Sequence, residues 1–129
     1  MILAALLALA QASPVVPLPP TDWSSLPPLR YVRPAPPDAD LSAFVRSEVA
    51  AGHCPRAVAA PGGWTLTVEI AVQTNAQDQV RRVVPRAMDC PAVEQYAAGI
   101  VSSMARGNIY TGDAQDGWYR TSLTFTWRA

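Results

Sequence analysis

Lysine is absent from this 129-residue chain, histidine occurs once, cysteine twice, and only 16% of the residues are charged. Ten arginines balance ten acids with no block of either sign, so a nucleic-acid surface that works by counterion release and a polybasic membrane patch both lack support. Two cysteines and one histidine do not supply the four paired ligands of a structural zinc site. His53 and Cys54 are neighbours in sequence and point apart on most backbones, and no second histidine exists to serve as a base, so a Cys-His nucleophile pair is disfavoured. The large apolar residues are also few. Of the 50% counted as hydrophobic, 22 residues are alanine. The length allows one domain at most, with a modest core.

What is present begins with MILAALLALAQA. The apolar run from Ile2 to Ala10, followed by the small-x-small pattern Ala10-Gln11-Ala12, reads as a short secretory signal (residues 1–12) cut after Ala12. As a helix it covers roughly 18 Å, short of a hydrocarbon core of about 30 Å. Ser13 rather than cysteine follows the cut, so a lipid anchor is not expected. The competing reading is a membrane anchor whose upstream part is missing. In an exported protein an even pair of cysteines, Cys54 and Cys90, is most simply a disulfide, with reduced buried thiols as the alternative.

Residues 13–37 form a proline-rich linker: nine of the thirteen prolines fall between Pro14 and Pro37. Proline removes donors and clashes with the preceding turn, so this stretch is expected to be extended, a semi-rigid spacer reaching on the order of 70 Å. Trp23, Leu26, Leu29 and Tyr31 are unusual in a solvated tether and point to docking of part of it on the folded unit.

Residues 38–129 carry the periodic signals. Asp38 or Asp40 caps a helix predicted over 39–51, with Leu41, Phe44, Val45 and Val49 on one face and Gly52 as terminator. Trp64 to Thr74 alternates between apolar and polar residues and predicts a half-buried strand. A polar turn, Asn75 to Gln79, leads to a second strand over Val80 to Ala87, with Pro85 near its end, and the two form an antiparallel hairpin. Cys90-Pro91 opens a second helix with Val93, Tyr96, Ala97, Ile100 and Met104 on its apolar face. A loop with Asp113 and Asp116 leads to the last strand, Trp118 to Trp127. The expected fold is α+β, a two-layer domain in the order helix, strand, strand, helix, strand. Both helices cover one face of a three-stranded antiparallel sheet and the other face sees solvent.

The residues Leu66 to Val72, the turn Asn75 to Gln79, the opening Cys90-Pro91-Ala92-Val93 and the closing strand Ser122 to Trp127 together resemble the C-terminal domain of the TonB family. The resemblance covers about residues 60–129, and the proline-rich stretch is similar to that family's periplasm-spanning region. It implies a periplasmic, non-enzymatic module, without cofactor or metal, that pairs an extended peptide of a partner protein, such as an outer-membrane receptor, against a sheet edge. Carried over, the edge strand supplies Trp118, Tyr119, Arg120, Ser122, Thr124 and Thr126, with Tyr119 and Arg120 as selectors. The anchor that couples TonB to its inner-membrane motor is not in these residues. The alternatives are an anchored transducer with a truncated N-terminus and a small secreted structural or inhibitory domain. An enzyme is not expected. Asp113 and Asp116 fit turn formation, Glu69 a polar strand face, and Glu94 a first helical turn.

Overall fold

The computed structural model describes residues 18–34, 40–112 and 117–129. The proposed signal, Asp38, Asp113 and Asp116 lie outside them. Two helices, α1 (Ser42–Ala50) and α2 (Pro91–Ala105), pack against a sheet of β1 (Val58–Ala60), β2 (Gly63–Thr74), β3 (Val80–Pro85) and β4 (Gly117–Arg128). The class is α+β, as the periodicity predicts, but the antiparallel sheet has four strands where three were expected. The extra strand, β1, has three residues, too short to show a period. The signal for it is Pro61-Gly62, the central pair of a turn that needs a positive φ at its third residue, and Gly62 has φ 76°.

Strand β2 is the centre. On one side it pairs with β4 along its whole length, from Gly63↔Arg128 to Thr74↔Gly117. On the other it pairs with β1 through residues 63–65 and with β3 through residues 70–74. At Gly63 the backbones approach so closely that a Cβ would lie 2.0 Å from the Trp127 carbonyl oxygen, so only glycine fits.

The alternation in β2 sends Leu66, Val68, Ile70 and Val72 into the helix-covered face, each no more than 1% exposed. There they join Val45 of α1, Val93, Ala97, Val101 and Ala105 of α2, and Phe125 of β4. Each larger side chain of this set contributes roughly 1.5–3 kcal/mol by leaving water. The aromatic rings continue the packing from α1 to β4. Phe44 lies 4.7 Å from Tyr96, and Tyr96 lies 6.0 Å from Phe125.

Local chemistry sets the helix ends. The Asp40 carboxylate accepts from the Ser42 N–H at 3.1 Å, so α1 starts two residues past that aspartate, later than the expected residue 39. Pro91 occupies the first turn of α2, and Glu94 reaches back to accept from the Cys90 and Met88 N–H groups at 2.9 and 3.2 Å. Cys54 and Cys90 form a disulfide with Cα atoms 4.8 Å apart, tying the segment before β1 to the start of α2. Strand β3 stops at Pro85, where the ladder donor is lost, although the Arg86 N–H still donates to the Glu69 carbonyl at 2.8 Å.

The second face of the sheet departs from expectation. One end of it is covered, because a 3₁₀ turn at Trp23–Ser25 sets Trp23 and Leu26 against Ala71 and Trp118, and Ala71 is 0% exposed. Residues 23–33, expected within an extended spacer, therefore form a strap on the domain. Leu29 enters the main core, and Tyr31 bridges to Ile109 beyond α2.

Candidate functional site: the outer edge of strand β4

A strand at the border of a sheet presents alternate backbone groups outward. In β4 the even-numbered residues do so. The Arg120 N–H donates to the Pro27 carbonyl at 2.9 Å, and its carbonyl accepts from the Leu29 N–H at 2.8 Å, both on the side away from β2. The strap thus adds a short parallel bridge at Pro28↔Arg120. Arg120 Nε also donates to the Leu26 carbonyl at 2.8 Å.

The residues expected on the edge strand are therefore not equivalent. The outward backbone of Arg120 is already paired, and Trp118 lies half-buried against the strap's Trp23 and Leu26. Tyr119 points to the helix side, packs on the main core and faces Val72 across the ladder, so it is not on the outer border. Beyond the strap, Ser122, Thr124 and Thr126 are exposed and follow the same alternation as Arg120, and their outward N–H and C=O groups have no backbone partner among the described residues. Their side chains lie on the uncovered face, where the Thr124 hydroxyl bonds that of Thr67 at 2.9 Å.

The other borders are less suited to a docking strand. β1 is three residues long, and β3 ends in proline and pairs through a register shift at Gln73/Thr74. β4 has twelve residues, no proline and an unbroken register.

Where the strap leaves the edge, Asp22, Trp23, Glu69, Arg86, Arg120 and Ser122 help line a cleft of about 440 Å³. Arg86 binds Glu69 at 2.7 Å and lies over the Trp23 ring, 5.0 Å from its centroid. Bonds from the Ser24 hydroxyl and N–H hold the Asp22 carboxyl below its ordinary value. Of the other acids singled out in sequence, Glu94 caps α2, and among those not singled out Glu48 binds His53 Nδ1 at 3.0 Å. Cys54 is held in the disulfide, so its thiolate is not available to a nucleophilic pair.

Periodicity does not reveal Pro27 in the strap or Asp22 just before it. A signal for part of it is in the chain: Trp23, Leu26 and Leu29 are spaced by three, the turn of both polyproline II and a 3₁₀ helix, and so share one side. No protein-family model, curated protein or solved structure matches this chain.

Proposed function

We propose that the protein is an exported, non-enzymatic interaction domain of TonB-like type that binds an extended peptide of a partner protein by adding it as a strand to β4. The observation that carries this reading is the stretch Ser122 to Thr126, whose outward backbone groups have no partner among the described residues, on a long, regular border strand. The disulfide is compatible with export to the periplasm. The strap supports the same chemistry, because an extended segment of this chain already pairs with β4 at Arg120.

The test is a selection of displayed random peptides of about seven residues, followed by amide hydrogen exchange. Selected peptides are expected to slow exchange at Ser122, Thr124 and Thr126, and to lose binding when their own amides are N-methylated. Ser122→Pro removes an outward donor without touching the β2 ladder and is expected to abolish the effect. Binding that leaves these three amides unprotected would overturn the reading.

A second reading has one observation in its favour. The bridge from Pro27–Leu29 to Arg120 makes the strap a finishing piece of the sheet, as in a small secreted structural domain. Protection of the three amides in the protein alone would favour that reading.

A further inference from the structure

The charges on β4 bear on what kind of peptide fits it, an inference that rests on the strand-addition reading. Arg120 and Arg128 are the only charged residues of β4 and stand at the two ends of the open stretch. They are eight residues apart, roughly 27 Å along a strand, and their side chains share the uncovered face. Neither pairs with a carboxylate among the described residues. Arg120 is held through Nε by a neutral carbonyl, that of Leu26, and Arg128 stands opposite Gly63, which has no side chain. Between them Ser122, Thr124 and Thr126 are uncharged. In the adjoining cleft Glu69 is already bound to Arg86, and Asp22 is turned into its own Ser24, so the nearby acids have other partners.

A second copy of the chain is a poor occupant. Two-fold antiparallel pairing centred on Thr124 sets Arg120 of one copy opposite Arg128 of the other, twice, and like charges directly opposite are destabilising. Positive charge at both ends of an uncharged border discourages self-pairing and leaves two sites for acids.

We propose that the segment recognised by β4 is an extended peptide of about seven to nine residues with an uncharged, β-forming centre and an acidic group at each end, one near Arg120 at the cleft and one near Arg128. The two arginines lie further apart than a Debye length, so each acts on its own end of the peptide.

The test compares two blocked peptides of about seven residues, an odd number so that both end side chains fall on one face, with threonine and valine between the ends, one peptide ending in aspartate at both ends and the other in asparagine. At about 50 mM salt the aspartate peptide is expected to bind about three- to tenfold more tightly, and at about 0.5 M salt the advantage should shrink. Arg128→Gln, at an exposed position outside the strap, should reduce the advantage while both peptides still protect the Ser122, Thr124 and Thr126 amides. Equal affinity with those amides protected would overturn the charge preference and leave strand addition standing. Failure of both peptides to protect them would overturn strand addition and this inference with it. A dimer of the peptide-free protein, with the Thr124 amide already protected, would assign the border to a second copy and overturn the inference.

Discussion

The side chain of Asn108 clamps the backbone of Arg33: its Oδ1 accepts from the Arg33 N–H at 2.8 Å, and its Nδ2 donates to the Arg33 carbonyl at 2.9 Å. The same Nδ2 donates to the Met104 carbonyl at 3.0 Å, so one residue closes the C-terminal end of α2 and fastens the end of the strap. The neighbouring backbone adds bonds from Val32 N–H to the Asn108 carbonyl at 2.8 Å and from Tyr110 N–H to the Arg30 carbonyl at 3.1 Å.

Asn108→Ala removes all three side-chain bonds at once. Each exposed or half-buried bond is worth about 0.5–1.5 kcal/mol, and the contributions are not additive. The expected loss is about 1–2 kcal/mol in denaturant unfolding, with faster amide exchange at Val32 and Tyr110. An unchanged midpoint would mean that solvent replaces the clamp without cost.

Trp23→Ala uncovers Ala71 and removes the ring beneath Arg86. Because Trp23 is 8% exposed, its truncation is expected to cost about 2–4 kcal/mol. If the strap docks as a unit, the Leu29 and Arg120 amides should lose protection together while those of α2 keep theirs. Loss of protection everywhere would show instead that strap and domain unfold as one.

Reducing the disulfide, or the double replacement Cys54→Ser with Cys90→Ser, reopens a loop spanned by a sequence separation of 36. The chain-entropy model puts its stabilisation at about 3–4 kcal/mol, and both sulfurs sit in the main core. A fall of that size in unfolding free energy is expected. Mass spectrometry of protein from the producing cells, with and without alkylation, should find no free thiol; finding two would contradict both the bond and export.

Gly63→Ala places a methyl group where the Trp127 carbonyl oxygen stands. The β2 and β4 backbones must part at that end, and a loss of about 1–3 kcal/mol follows. Exchange at the Phe125 and Trp127 amides, which point toward β2, should rise more than at Tyr119, at the far end of β4. Gly62→Ala fails for a different reason, strain at φ 76°, in open space.

Acid should act on the strap's first turn through Asp22, whose carboxyl is held below its ordinary value chiefly by the Ser24 hydroxyl and then by the Ser24 N–H. A depressed folded-state pKa means that the bond contributes above the unfolded value and is lost as pH falls through the folded one. The Ser24 amide resonance should therefore titrate with a midpoint below 3.8, the usual aspartate value. Ser24→Ala should move that midpoint up. A midpoint at or above the ordinary value would remove the turn from the account.

Much of the fold was readable in the chain because the relevant signals are local. Leu66, Val68, Ile70 and Val72 alternate because a strand's side chains do, and the Pro91 opening of α2 follows from a missing N–H at a position that needs none. Strand β1 was not readable, because three residues show no period and only the Pro61-Gly62 turn marks them. For the candidate site, Ser122, Thr124 and Thr126 came with the edge strand that the resemblance implies, and the alternation of β4 put them on its polar side. The positions of Trp118, Tyr119 and Arg120 relative to its border were not, since no local pattern says which side of a strand finds a neighbour.

The sequence by itself determined the spacing of apolar and polar residues, the turns and the pair of cysteines, all properties of residues a few positions apart. Only the tertiary structure decided that Pro27 and Leu29 close the edge at Arg120 and stop short of Ser122. That contact joins residues more than ninety positions apart, and it forms because the strap's backbone donors and acceptors meet an unfilled border once the sheet exists. Long-range pairing of this kind depends on the shape left over when local elements have packed, which no stretch of residues carries alone.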